Sequence, residues 1–531
     1  MFLSTLDLIV VVFYAIVLFA LAQYVSREPE GVQKNTEDYF LAGKSLPWWA
    51  IGASLVAANI SAEQIIGMSG EGYRIGLAIA AYEWQAAIVL IIVAKYLLPI
   101  FLKREIYTMP QFLETRYGEG VKVTMSVFWI VLYTIVNLTA VMWLGSIAVN
   151  TLTNVSLFWG MAGLAGFALA YSMFGGLKAV ALTDMLQVTI LVIGGFVIAW
   201  LTVGIIGGDG GVANGFQRLY KEFPGKFDMI FNKDHFAYEE LPGIWTLLGG
   251  LWVLHFSYWG FNQYIIQRAL GAKNVHEAQK GLVFAAALKL IMPLIIVLPG
   301  VAAVMLAAPE MGIIDKSVLD EATDRAYPEI MKIMPSGLRG LIFAALIAAI
   351  VSSLASMVNS ISTIFTMDIY RDYLSKGKSE THYVMIGRIT AIVAMVIALF
   401  TAKPLLGNME SAFQAIQEFT GFIAPGIVAV FVMGMFYKRT NSAGAFAMLA
   451  VTLLASYGLK SFMPEFPFVN RVWITFLSCL AIGAVVSNIS AMPRAGQPVT
   501  LGDINFKTSR SFNVWTFVIA IILIAIYAVF W

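Results

Sequence analysis

Along this chain apolar residues gather into runs of about twenty, and polar residues fall into short stretches between them. A bilayer core is crossed by about 20 residues of helix, because a backbone amide in hydrocarbon must find its partner within its own segment. The runs predict about fourteen spanning helices, near residues 7–26, 46–70, 76–101, 122–150, 156–173, 180–206, 242–268, 276–307, 331–370, 384–402, 409–436, 441–462, 470–489 and 512–531. The 331–370 run is long enough to hold a turn or two beyond the membrane. The longest loops, near 207–241 and 308–330, have room for short helices but not for a separate soluble domain. The chain therefore reads as one all-α transmembrane domain, 1–531. Its first apolar run, Leu8–Val25, has no basic residue before it and no small-x-small cleavage site after it, so it is expected to be a retained helix and not a signal sequence.

Two of these helices are interrupted. In the second, Ala57-Ala58-Asn59-Ile60-Ser61-Ala62-Glu63-Gln64 breaks the apolar run. In the seventh, Gly249-Gly250 is followed by His255-Phe256-Ser257-Tyr258-Trp259-Gly260-Phe261-Asn262-Gln263. They hold the same place in two successive five-helix units, 46–206 and 242–436, flanked by an extra N-terminal helix (7–26) and extra C-terminal helices (441–531). Interrupted segments in corresponding positions point to a transporter binding site at the midplane, where an unwound turn frees carbonyls for a cation. The correspondence is one of helix order, with no residue-level repeat behind it.

Composition agrees with lipid as the solvent: 59% of residues are hydrophobic and 12% charged. The net charge of +2 gives no sign of a nucleic-acid or acidic partner. Cys479 is the single cysteine, so no internal disulfide forms, and the four histidines are scattered, offering no zinc cluster. No nucleophile, phosphate loop or catalytic constellation suggests an enzyme. With the N-terminus outside, the inner loops receive Arg27, Lys34, Lys44, Lys103, Arg104, Arg116, Lys178, Arg268, Lys273, Lys280, Arg371, Lys376, Lys378, Lys438 and Arg439, and the short outer loops only Arg74, Lys403 and Arg471. Both termini are thus expected outside.

Polar residues inside apolar runs carry the candidate chemistry, since an ionisable group at bilayer depth needs a partner or a task. Glu63 and Gln64 close the first interruption, and Tyr82-Glu83-Trp84 opens the next helix. Carboxylate, amide and aromatic faces suit a sugar; the alternative is that both acids are solvated near helix ends. Lys289 lies mid-helix with no acid within a turn, so it pairs across helices or donates to a ligand. His255, Tyr258 and Trp259 share one helix face, as do Phe413 and Gln417, with Gln414 beside them; such stripes serve packing as readily as binding. Ser352, Ser353 and Ser356 sit in a small-residue stretch that suits close helix packing, or hydroxyl ligands for Na⁺.

The runs DYFLAGKSLPWWAIGASLVAANISAEQIIGMSG (38–70), FGGLKAVALTDMLQV (174–188), YWGFNQYIIQRAL (258–270) and AAIVSSLASMVNSISTIFTMDIY (348–370) resemble the sodium/solute symporter family, and most closely its bacterial sugar carriers. The resemblance implies an inverted 5+5 helix repeat of LeuT-like type with broken first and sixth core helices, in a bacterial inner membrane. It implies Na⁺ held by Ala57, Ile60, Ala349, Ser352 and Ser353, with Asp184 on the exit path. It places Gln64, Glu83, Lys289 and Gln417 around a neutral sugar such as galactose or glucose, Tyr258 and the adjacent Trp259 at an inner gate, and Met68, Tyr82 and Phe413 at an outer one. Two positions depart from the sugar-carrier pattern: Ala86 replaces a Ser, and His255 an Asn, which leaves the identity of the sugar open. Some relatives hold a second Na⁺ through the Asp184 position and two hydroxyls; here one of those positions is Ala355 and the other Ser356, so one Na⁺ per sugar is expected. Other solutes on the same fold (sialic acid, inositol, proline, an organic acid) and a solute-gated sensor or channel are the rival readings. No obligatory protein partner is evident.

Overall fold

The apolar runs become helices, and each of the expected segments has a helical counterpart in the computed structural model, which describes residues 2–26, 45–106, 108–172, 177–409, 411–490, 496 and 499–531. Among the described residues, nine helices are long and apolar enough to cross a membrane, from Leu77–Lys103 to Arg510–Val529. Two further spans are bent pairs, Trp48–Asn59 with Glu63–Arg74 and Ala412–Gly421 with Ala424–Phe436, and Thr5–Leu18 and Leu157–Ala170 are shorter apolar helices. The 244–270 stretch is a chain of short helical pieces. The loops do carry short helices, among them Gly211–Glu222 and Lys316–Glu321.

The first broken span is α1 (Trp48–Asn59), a π-helical turn Glu63–Gly67, and α2 (Met68–Arg74), bent by 61°. α3 (Ala81–Ile92) follows, and α4 (Leu177–Gly207) comes later in the chain. The second broken span is α5 (Leu251–His255), a π-helical turn Phe256–Gly260, and α6 (Gln263–Leu270). Then come α7 (Val275–Leu306), α8 (Leu338–Thr363), α9 (Ala412–Gly421) and α10 (Ala424–Phe436).

Glycines let α7 lie along the whole broken span. A Cβ on Gly281 would sit 2.8 Å from Ile51 Cβ, and one on Gly300 would strike the Ser69 carbonyl oxygen. These two close approaches, one on each side of the break, put the middle of α7 against it. The α3 helix is tied on by Trp84 Nε1, which donates to the Leu290 carbonyl at 3.2 Å, and Gln85 Nε2, which donates to that of Leu247 at 3.2 Å.

Several expectations are corrected. The 409–436 run is not one helix: it breaks between α9 and α10 with a 42° bend, just ahead of Pro425. The 331–370 run starts at Leu338, after Gly337 turns the chain at φ 87°, and residues before it form a separate helix, Ala326–Lys332. Arg116 and Arg268, expected in inner loops, are helical and 2% and 3% exposed. Arg116 donates to the carbonyls of Gly434 and Tyr437, which Lys could not do in the same fork geometry. Arg27, Lys34 and Lys44 lie outside the described residues.

Candidate functional site

The break in the first span is built by its own side chains. Ile60 N still reaches the Val56 carbonyl at 2.7 Å. The next amide, Ser61 N, turns to Gln64 Oε1 at 3.4 Å, and Ser61 Oγ donates to the same oxygen at 3.3 Å. A helix end leaves its last carbonyls without an intrahelical donor. The carbonyls at the end of α1, Ala57 among them, therefore face a break and not a continuing ladder.

Lys289 is fully buried on α7, and it does pair across helices. Its Nζ donates to Glu83 Oε1 at 2.8 Å and Oε2 at 2.7 Å, and to Asn59 Oδ1, and lies 5.0 Å from the centre of the Trp259 ring. Glu83 and Glu63 are 3% and 8% exposed, so neither is the solvated helix-end acid that was the alternative. Gln417 Nε2 on α9 donates to Glu63 Oε1 at 3.0 Å. Tyr82 meets Phe413 edge-on at 5.2 Å between ring centres and His255 at 6.3 Å. Met68 on α2 and Ala86 on α3 are both buried. Among the described residues, His255 Nε2 and Tyr82 Oη are buried with no hydrogen-bond partner. Of the predicted solute residues, Glu83 on α3 and Lys289 on α7 meet directly, Gln417 on α9 pairs with Glu63 of the π turn, His255 on α5 lies against Tyr82, and Gln64 stays with Ser61 at the break.

Tyr258 Oη accepts from Asn59 Nδ2 at 3.3 Å and from Tyr264 Oη at 3.2 Å. Asp184 on α4 is 1% exposed and accepts from Ser352 Oγ at 2.7 Å and Ser54 Oγ at 3.2 Å. Its cationic neighbour is Arg268, with Nη2 at 3.5 Å. Ser353 Oγ, the next hydroxyl on α8, is buried and finds no partner among the described residues. A buried hydroxyl without a partner costs about 1–3 kcal/mol, so it is either strained or awaiting a ligand.

Beyond the break, Arg74 at the end of α2 bridges Glu71, at 2.9 Å, and Glu240. Gln414 Nε2 donates to Glu71 at 3.4 Å, and Asp324 Oδ2 accepts from Ala412 N at 3.3 Å. Burial pushes the Asp324 carboxyl up from 3.8 to about 8.

Sequence reasoning missed Asn59, Ser54, Tyr264 and Arg268. Asn59 and Arg268 stand inside stretches already singled out, but an Asn at a helix end reads as a cap and an Arg after a polar run reads as a loop residue.

The family model for sodium:solute symporters matches residues 39–451. A sodium/glucose cotransporter of Vibrio parahaemolyticus is 49% identical over 539 residues, covering 100% of this chain and 99% of that protein. Sodium/myo-inositol cotransporter 2 of Mus musculus is 31% identical over 84% of this chain and 69% of its own length. Sodium/glucose cotransporter 1 of Ovis aries is 30% identical over 87% of this chain and 72% of its own. Among solved structures, the substrate-bound, outward-open state of a Na⁺-coupled sialic acid symporter matches with a TM-score of 0.78 at 21% identity, covering 92% of this chain and 98% of that one. The inward-facing conformation of Mhp1 matches at 0.51 and 12% identity, covering 87% and 96%. At these identities the structural likeness is one of fold.

Proposed function

This chain belongs to the sodium:solute symporter family, and from that premise we propose that it takes up a neutral hexose, galactose or glucose, with one Na⁺ per sugar. That it is an integral membrane carrier, coupled to Na⁺ and performing no covalent chemistry, follows from the family itself. The observation that carries the hexose reading is the Lys289–Glu83–Asn59 cluster. With Gln64, Gln417 and His255 it presents donors and acceptors for several hydroxyls, and its one ammonium, Lys289, is already matched by Glu83 and not free for an anionic solute. The relative at 49% identity bears the name of a sodium/glucose cotransporter. A second neutral polyol, myo-inositol, is supported by the name of the relative at 31% identity and by the changed contacts at Ala86 and His255.

In this reading Na⁺ is bound by the carbonyls of Ala57, Ile60 and Ala349 and the hydroxyls of Ser352 and Ser353. Ser353 Oγ, buried and without a partner among the described residues, supports it. Ser352 donates its proton to Asp184, which leaves its lone pairs for a cation. Na⁺ orders the break between α1 and the π turn, the sugar docks against it, and Met68, Tyr82 and Phe413 close over the sugar. Tyr258 and Trp259 then give way inward, and Asp184 draws Na⁺ toward the exit. The membrane potential adds about 2.3 kcal/mol per charge per 100 mV. Residues 46–206 and 242–436 serve as two inverted five-helix repeats, with both broken spans at their interface. The carrier sits in a bacterial inner membrane with both termini outside.

Counterflow of labelled galactose and glucose in proteoliposomes tests the solute. Counterflow in Na⁺, displaced by unlabelled hexose and not by proline or sialic acid, is expected. Displacement by myo-inositol alone would move the assignment to the polyol.

A further inference from the structure

Arg268 belongs to none of the solute contacts, yet every one of its nitrogens is engaged. Nε donates to Ser54 Oγ at 2.9 Å, Nη1 to the Tyr264 carbonyl, and Nη2 reaches Ser356 Oγ and Asp184 Oδ2, each at 3.5 Å. Ser54 passes the contact on to Asp184 Oδ2, while Ser352 holds Oδ1. The carboxylate therefore stands between two cationic positions: the guanidinium on one side, and the serine pair read above as a Na⁺ site on the other. Two positive charges on opposite sides of a carboxylate repel each other by about half as much as each is attracted, so each weakens the carboxylate's hold on the other. Arg268 and Na⁺ therefore oppose one another at Asp184.

The same side chain also faces the gate. Its acceptor, Tyr264, lies one turn earlier on α6, and Tyr264 Oη donates to Tyr258 Oη. Tyr258 in turn accepts from Asn59, whose Oδ1 accepts from Lys289. Hydrogen bonds thus link Ser352, Asp184, Ser54 and Arg268 to the Tyr264 carbonyl, and the Tyr264 hydroxyl to Tyr258, Asn59 and Lys289, with the Tyr264 residue itself joining the two runs. Spatial continuity alone does not establish coupling; here the chain also contains a charge whose pairing Na⁺ would change.

We propose that Arg268 is a tethered counter-ion of Asp184 that exchanges with Na⁺: it yields when Ser352 and Ser353 hold the ion, and returns to speed its release and reset the Tyr264–Tyr258 contact. It is a positioning residue, touching neither ion nor sugar. The proposal rests on the Na⁺ site described under the proposed function.

The test measures the Na⁺ concentration giving half-maximal uptake, the maximal rate, and the thermal stabilisation of purified carrier by Na⁺. Arg268→Gln, having lost the competing charge, is expected to lower the Na⁺ midpoint on the order of tenfold and to lower the maximal rate, because release slows. Arg268→Lys, which keeps the charge, is expected to stay near wild type in the midpoint. Ser54→Ala, a small change that loosens Arg268 from Asp184, is expected to shift the midpoint downward by a smaller factor and serves if Arg268→Gln does not fold. An unchanged or raised midpoint in Arg268→Gln or Ser54→Ala, or a Lys variant that behaves like Gln, overturns the exchange. If Ser353→Ala keeps its stabilisation by Na⁺, the ion site itself is wrong, a failure distinguishable from that of Arg268.

Discussion

Lys289 on α7 and Glu83 on α3 meet at 2.7 Å in the interior, with Lys289 fully buried and Glu83 3% exposed. Breaking a buried ion pair by removing one partner costs about 3–5 kcal/mol, because the other charge is left uncompensated. Lys289→Ala should therefore abolish uptake and also reduce thermal stability. Combining Lys289→Met with Glu83→Gln should recover much of the stability and none of the uptake. Recovery of transport in the double variant would mean that the pair serves packing only.

Ser353 predicts the opposite balance. Its Oγ makes no hydrogen bond among the described residues, so Ser353→Ala should leave thermal stability without Na⁺ near wild type. It should raise the Na⁺ midpoint of uptake on the order of tenfold, the effect of losing one oxygen ligand. An unaltered Na⁺ midpoint would remove Ser353 from the ion site.

Asp324 is wedged between Gly70 on α2 and the start of α9, 4% exposed. Desolvation holds its carboxyl up at about 8, opposed by the Ala412 amide and Arg74 and assisted by Glu71. The folded value stands above the unfolded one. Its contribution to stability is therefore fully present below the ordinary 3.8 and is lost as pH rises through about 8. Asp324→Asn should raise the melting temperature at pH about 8 more than at pH about 5. A difference between variant and wild type that is flat across this window would contradict the burial argument.

The orientation can be read chemically, because the native Cys479 is 0% exposed and lies within a spanning helix. Trp531→Cys should react with an impermeant thiol reagent on intact cells. Reaction only after lysis would reverse the topology.

How far the sequence reveals this arrangement depends on what each residue is forced to do. The spans were legible because hydrocarbon forces every amide into a helix, and polar residues in the second and seventh runs marked their breaks. The bend between α9 and α10 was not: Phe422 and Ile423 at the break are apolar, and only Gly421 and Pro425 punctuate it. Lys289 announced a partner because a charge at that depth requires one, though the sequence could not say that Glu83 and Asn59 would both supply it. Arg268 gave no such signal. It follows a polar stretch, and only the packing of α6 against α1, α4 and α8 converts it from a loop charge into a buried one.

Coupling of hexose to Na⁺ is the central claim, and the reversal condition tests it most directly. Proteoliposomes loaded with labelled hexose are set against graded Na⁺ gradients at clamped potential, and the gradient at which net flux vanishes is found. One Na⁺ per sugar predicts a null point that shifts in equal proportion with the Na⁺ gradient, and by one charge with potential. A shift corresponding to two Na⁺ would contradict the stoichiometry drawn from Ala355, and a null point indifferent to Na⁺ would contradict coupled hexose transport itself.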